Sequence, residues 1–255
     1  MVVSAHPLAS EVGINILKKG GNAADATIAV QFALAVVYPS AGNIGGGGFF
    51  VYRSKDGQCS TLDFREKAPL TSTRDMYLDS SNNVIKNLSL YSHLAVGVPG
   101  TVDGMVNIHK KYGQLPWKEL VQPAIDLATN GFELTRLEAN KLNRFNKTKG
   151  KINKNSEYYK EHFSEGDSIF LPQLSKTLIL IRDHKRAGFY SGETAEMLVK
   201  EMSLNGGKIT QQDLDSYQSI WRDPTICFYK GHKIISMSPP SSGGILLTQM
   251  LKMAE

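Results

Sequence analysis

Apolar positions recur at helical spacing from the start of the chain. Leu8, Val12 and Ile16 with Leu17 predict a helix over residues 8–19, stopped by Gly20-Gly21. Asn22 offers a side-chain cap for the next helix, Ala23–Val37, which is apolar nearly all round and so is expected to be buried; Pro39 ends it. The period then changes. After Asn43-Ile44-Gly45-Gly46-Gly47-Gly48, Phe49–Arg53 reads as a strand, Asp56-Gly57 as a turn and residues 59–64 as the returning strand. The glycine run therefore opens a hairpin, whereas a phosphate loop leads into a helix and, in the Walker form, carries a Lys-Ser/Thr pair.

From Thr101 the pattern is mostly helical: Thr101–Tyr112, then residues 116–129, 134–145, 173–184 and 193–204. Pro123 is expected to break or restart the second of these. Thr210 with Asp213 has the form of a capping box opening one more short helix. Thr225–Tyr229 and residues 233–237 make a second hairpin around Lys230-Gly231-His232, and residues 244–255 a last helix. That helix has no stop signal, which gives the expectation that the chain is part of something longer. No internal repeat is visible. The order of helix pair, hairpin, helical middle, hairpin and helix indicates a mixed α/β (α+β) chain.

Composition removes several function classes. The 255 residues are 41% apolar and 21% charged, a globular balance with enough chain for a real core. The net charge of +5 does not by itself imply nucleic acid. Its densest basic stretch, residues 141–160, lacks the spaced aromatic platforms of single-strand binders and reads as a solvated loop or frayed helix. The longest apolar run, Ala23–Val37, is interrupted by Asp25, Thr27 and Gln31, too short and too polar for a membrane span. No charged start followed by an apolar core marks a signal peptide. Cys59 and Cys227 allow one disulfide at most, and His6, His93, His109, His162, His184 and His232 lie too far apart for metal-ligand spacing. No metal site and no cofactor is expected.

Three places could carry chemistry. The four glycines could turn amides toward an anion, or could simply let a strand start pack tightly on a helix. Arg65, in Asp63-Phe64-Arg65-Glu66-Lys67-Ala68-Pro69, offers a planar fork that fits a carboxylate, although spacing alone suggests an ordinary surface pair with Glu66 or Asp63. Pro239-Pro240-Ser241-Ser242-Gly243-Gly244 is a stiff lead-in to the last helix whose amides and hydroxyls could meet an anion. No Gly-x-Ser-x-Gly elbow is present. Read residue by residue, the chain offers an anion site and no nucleophile.

Several segments together resemble the γ-glutamyltranspeptidase family: Ser4-Ala5-His6-Pro7-Leu8-Ala9, Lys19-Gly20-Gly21-Asn22-Ala23-Ala24-Asp25-Ala26, residues 43–49 and 62–69, Val98-Pro99-Gly100-Thr101-Val102, and residues 240–244. They occur in the family's order over nearly the whole chain. The resemblance implies an Ntn-hydrolase αββα sandwich, incomplete here, with residues 1–255 forming a single incomplete domain that is most of the large subunit. It implies a precursor that cuts itself, and a small subunit whose N-terminal threonine attacks γ-glutamyl amides to give an acyl-enzyme. The γ-glutamyl group, commonly from glutathione, then passes to water or to an amino-acid or peptide acceptor. The family's Thr-x-His nucleophile core does not occur in this sequence, so no catalytic residue is assigned to it and the chain alone is expected to be inactive. Arg65 matches the family arginine that binds the substrate α-carboxylate, and the resemblance reverses the reading from spacing. A glutaryl-type acylase of the same family and a non-catalytic truncated product are the alternatives. The implied partners are γ-glutamyl compounds, acceptors and the small subunit, with no nucleic acid, and the implied location is periplasmic or secreted.

Overall fold

A computed structural model of the chain describes residues 1–149 and 162–255. Its first layer is helical. Helix α1 (Pro7–Lys18) begins with Pro7 in the first turn and is capped by His6, whose Nδ1 accepts the Leu8 N–H at 3.2 Å. Helix α2 (Ala23–Val37) opens with a full capping box. Asn22 Oδ1 accepts from Ala24 and Asp25, and Asp25 Oδ2 accepts from the Asn22 N–H. Asp25 is fully buried, yet it also accepts from the Gln114 and Leu115 N–H groups, so its charge is spread over backbone donors. The same box thus ties α2 to the chain just after α4 (Thr101–Tyr112), and Asn22 Nδ2 adds a 2.7 Å bond to Tyr112 O. As its composition predicts, α2 is buried along most of its length and packs against α1, α4 and α5 (Trp117–Asn130).

The expected break at Pro123 does not occur, and α5 runs through it without interruption. Proline removes one internal hydrogen bond, but the buried face of Trp117, Leu120, Val121, Ala124, Ile125 and Ala128 spans both sides of it. Packing against α2 and α7 (Pro172–His184) holds both halves in one helix.

The first hairpin forms as expected from β1 (Phe49–Arg53) and β2 (Cys59–Asp63), paired Phe49↔Asp63 through Arg53↔Cys59. A third strand absent from the sequence reading, β5 (Ile220–Arg222), adds antiparallel to β2. The sheet order is β1-β2-β5. On one face the paired Phe50 and Leu62 are buried, and α4 packs against β2. Tyr52, Tyr112 and Trp221 extend that face as a chain of ring contacts, with centroids 4.4 and 5.7 Å apart.

Short pieces complete the chain. A ribbon pairs β3 (Phe132–Glu133) with β4 (Ser168–Ile169) around α6 (Arg136–Lys149). The basic stretch over residues 141–160 continues α6 to Lys149; the remainder lies outside the described residues. The small helix α3 (Leu88–Tyr91) precedes α4, and α8 (Ala187–Tyr190), the longer α9 (Gly192–Leu204) and α10 (Gln211–Ser216) follow α7, with Thr210 and Asp213 forming the predicted capping box on α10. In the second hairpin, β6 (Thr225–Tyr229) and β7 (His232–Ser236), Tyr229 pairs with His232. The turn is therefore Lys230-Gly231 alone, both at positive φ (46° and 78°), and His232 belongs to the strand. Helix α11 (Gly243–Met253) closes the chain. Among the described residues no helix is long and apolar enough to cross a membrane.

Candidate functional site

Arg65 sits just past the end of β2, on backbone fixed at both sides. Phe64 exchanges two hydrogen bonds with Gly48, and Lys67 exchanges two with Val98. Between these anchors the Arg65 N–H donates to Asp63 Oδ1 at 3.1 Å, and the Tyr217 hydroxyl donates to Arg65 O at 2.8 Å. Every backbone polar group of Arg65 is satisfied.

Its side chain is different. Arg65 is exposed, with its guanidinium carbon 5.9 Å from the centre of the Phe49 ring. No carboxylate among the described residues lies within ion-pair distance of it. Asp63, one partner suggested by spacing, is occupied: its Oδ2 accepts from Arg222 Nε at 3.0 Å and from a terminal nitrogen of Arg222 at 2.9 Å. Glu66, the other, forms no ion pair with Arg65 either. The ordinary surface pair is thus absent. What remains is a rigidly mounted fork of donors, with the geometry for bidentate contact to a carboxylate.

The glycines belong to the same construction as packing elements. Gly46 O accepts from the Gly100 and Thr101 N–H groups at 2.7 and 3.0 Å, which occupies the N-terminus of α4. A Cβ on Gly47 would overlap Phe64 O, one on Gly100 would overlap both Phe64 O and the Tyr217 hydroxyl, and one on Gly104 would overlap the Phe64 ring. Of the two roles open in sequence, close packing of a strand start is formed at Gly47 and Gly48, while Gly45 faces open space.

Behind the Arg65 segment lies a polar cluster that the sequence did not disclose. Asp103 of α4 receives Arg186 Nε at 3.0 Å, the Ser219 N–H and hydroxyl at 2.7 Å each, and Asn107 Nδ2 at 3.0 Å. One terminal nitrogen of Arg186 reaches the carbonyls of Leu214, Asp215 and Tyr217. The guanidinium also lies 4.4 Å above the Tyr190 ring, which stacks on Tyr217 with centroids 5.9 Å apart. Burial, then the Asp103 charge, pushes both tyrosine phenols well above their ordinary range, so they stay protonated donors.

The other candidates stand apart. In the turn before α11, Ser241 Oγ accepts the Gly243 N–H at 3.2 Å, and no side chain caps the helix. Ser238 and Pro239 help line a polar cavity of about 570 Å³ whose cations are already engaged: Lys111 lies 4.0 Å above the Trp221 ring and Arg222 holds Asp63. No hydrogen bond joins this turn to Arg65 among the described residues. His6 is buried against Glu138 at 2.7 Å, while His93 meets Glu201 and His109 meets Leu115 O. These are structural contacts. Cys59 and Cys227 are free thiols, and among the described residues no three His, Cys, Asp or Glu side chains group to hold a metal.

Comparison with known proteins bears on this geometry. The family model described as Gamma-glutamyltranspeptidase matches residues 9–255. The Glutathione hydrolase proenzyme of Pseudomonas sp. (strain A14) is 46% identical over 259 residues, taking in 100% of this chain and 45% of that protein. The protein of the same description from Escherichia coli (strain K12) is 44% identical with the same shares. The crystal structure of Helicobacter pylori gamma-glutamyltranspeptidase superposes with a TM-score of 0.94 at 48% identity, over 98% of this chain and 73% of that one. The chain therefore spans less than half the length of these curated relatives.

Proposed function

The chain belongs to the gamma-glutamyltranspeptidase family and has the Ntn-hydrolase fold of its solved members, and on that premise we propose that it is the large-subunit part of a glutathione hydrolase precursor in which Arg65 binds the substrate α-carboxylate. The observation that carries this reading is the exposed guanidinium of Arg65, free of carboxylate partners among the described residues, on backbone held by Gly48, Asp63, Val98 and Tyr217. Residues 1–255 then form one incomplete domain, completed by a small subunit from the same precursor.

In this reading the guanidinium accepts the α-carboxylate of a γ-glutamyl compound such as glutathione and so fixes where its γ-amide lies. A threonine at the small-subunit N-terminus, outside these residues, supplies the nucleophile. Its hydroxyl adds to the γ-carbonyl while its own amine takes the proton; the amide C–N bond then breaks, the leaving amine receives that proton, and an ester acyl-enzyme remains. Water or the amine of an amino-acid or peptide acceptor displaces the threonine and releases the γ-glutamyl group. The site works outside the cytoplasm, in the periplasm or after secretion. This chain alone contributes substrate binding and scaffold, without turnover.

The test uses the full-length precursor, allowed to mature. Arg65→Ala should lower kcat/KM for γ-glutamyl-p-nitroanilide about a hundredfold, since removing one partner of a charge pair that the small subunit and bound substrate shield costs roughly 2–5 kcal/mol. Arg65→Lys should recover only part of this. The 4-aminobutanoyl anilide, which lacks the α-carboxylate, should be a poor substrate and lose little more. Equal losses on both substrates with autocleavage intact would remove the clamp role. A wild-type preference for the glutaryl anilide, which lacks only the α-amine, would instead favour the acylase reading.

A further inference from the structure

We propose that Tyr217 is a positioning residue for Arg65, and that the Asp103–Arg186 pair acts through it to set the direction of the carboxylate-binding guanidinium. This rests on the assignment of Arg65 above and adds what orients it.

The Arg65 guanidinium lies 5.9 Å from the centre of the Phe49 ring and makes no ion pair among the described residues. Its direction therefore depends on the peptide that carries it. That peptide is held on its N–H side by Asp63 and on its carbonyl side by the Tyr217 hydroxyl at 2.8 Å. The Asp63 bond is local, two residues away, whereas the Tyr217 bond comes from 152 residues further along the chain. The neighbouring Phe64 and Lys67 are tied to Gly48 and Val98, and the hydroxyl contact is the long-range bond made to Arg65 itself.

Tyr217 can serve as a reference because it is itself immobilised. It is 2% exposed, stacked on Tyr190, and faced by Gly100, where any side chain would overlap its hydroxyl. Its main chain lies in a strap drawn down at several points: Arg186 binds the carbonyls of residues 214, 215 and 217, and Asp103 binds both the N–H and the hydroxyl of Ser219. Asp103 and Arg186 hold each other at 3.0 Å. Tyr190, the other side of the stack, is fixed by its own hydroxyl on Pro99 O at 2.8 Å. Elements α4 and α8 thus locate one phenolic oxygen, and that oxygen locates the Arg65 carbonyl. Displacing a binding group by about 1 Å can cost up to a hundredfold in rate, so a contact of this kind matters without touching substrate.

The experiment again uses the matured full-length protein. Tyr217→Phe keeps the ring and its stacking and deletes only the hydroxyl. It should raise KM for γ-glutamyl-p-nitroanilide about five- to tenfold, the scale of one hydrogen bond, with kcat changed less than about twofold. Turnover of the 4-aminobutanoyl anilide should change less than about twofold. In an Arg65→Ala background the same substitution should add nothing, because the group it orients is gone. Ser219→Ala, which loosens the strap without altering Tyr217, should give a smaller loss with the same substrate selectivity. Losses shared equally by the two substrates, or losses that add to those of Arg65→Ala, would overturn the positioning role and leave the carboxylate clamp standing. A wild-type protein that cleaves no γ-glutamyl compound would remove the functional reading, and the positioning role with it.

Discussion

The β1–β2 hairpin buries Phe50, Thr61, Leu62 and Asp63, whereas the β6–β7 hairpin buries none of its strand residues. Helix α4, behind the first, is buried from Thr101 to Met105, while α11, beside the second, buries only Gly244. Apolar side chains are common to both regions; what differs is cover. Phe228 is 60% exposed, and Ile245, Leu246, Met250 and Met253 are also open. The first region is completed by layers of this same chain, and it carries Arg65. The second leaves apolar side chains open on both the hairpin and the helix, and such exposed surface marks interfaces or promotes association. On the proposed function, the small subunit covers it. On that reading one chain contains a covered region that carries Arg65 and a wall left open for a partner, and the two should respond differently to damage.

The largest difference is expected at Asp103. Asp103→Ala leaves Arg186 without its anion, and three further donors, the Ser219 N–H and hydroxyl and Asn107 Nδ2, lose their acceptor. Breaking a largely buried pair by removing one member costs about 3–5 kcal/mol, and the part-exposure of Arg186 places the expectation near the lower end. Urea unfolding followed by hydrogen exchange should show amides of residues 63–67 and 214–219 losing protection, with those of β6 and β7 little changed. Uniform loss over both regions would mean that they form one cooperative unit.

Gly100→Ala comes next. Its Cβ would overlap the Phe64 carbonyl and the Tyr217 hydroxyl together, and neither is the far end of a flexible side chain. Overpacking of a closed site costs about 1–3 kcal/mol. The midpoint of chemical unfolding should fall by a corresponding amount. A Gly231→Ala control, with open space around the Cβ position, reports only the strain of its positive φ.

These two substitutions also show what could be read in advance. The helices with strong apolar period, the cap at Asn22, the Thr210–Asp213 box and both hairpins were legible because each is a local arrangement of a few residues. β5 was not: Ile220–Arg222 is three residues long and becomes a strand only because β2 offers an edge. Pro123 misled because tertiary packing outweighed a local rule. At the site, spacing put Asp63 beside Arg65, but Asp63 is taken by Arg222, 159 residues away. Family resemblance directed attention to Arg65. The cluster of Asp103, Arg186 and Tyr217 left no sequence signal, since its members come from three distant segments that meet only in the fold.

An acid titration should sharpen the contrast by a smaller margin. Burial alone would raise the Asp213 carboxyl, but bonds from the Leu70 N–H, the Thr210 hydroxyl and the Thr210 N–H outweigh it and hold its pKa below the ordinary aspartate value. A carboxyl depressed in the folded state stabilises above its unfolded value, and that contribution is lost as pH falls through the native one. Stability from Asp213 is therefore complete above about pH 5 and declines below about pH 4. Asp213 joins the strap to residue 70, so acid should loosen the Arg65 side first. Asp213→Asn should cost about 1 kcal/mol at neutral pH and flatten the acid limb. An unchanged acid limb in that variant would show that other carboxylates set it.

The smallest effect on stability is expected on the open side, and its size there is the point. Phe228→Ser removes an apolar ring that is already mostly in water, so the chain alone should change by no more than about 0.5 kcal/mol. It should nevertheless bind less of the dye ANS and form fewer oligomers, because the exposed patch shrinks. In the full-length protein the same substitution should cost more, about 1.5–3 kcal/mol if the ring is covered there. The comparison of one substitution in two contexts isolates the cover from the hairpin itself. Equal and negligible costs in both would mean that Phe228 stays in water after maturation, and that the wall is completed elsewhere on α11 or left open.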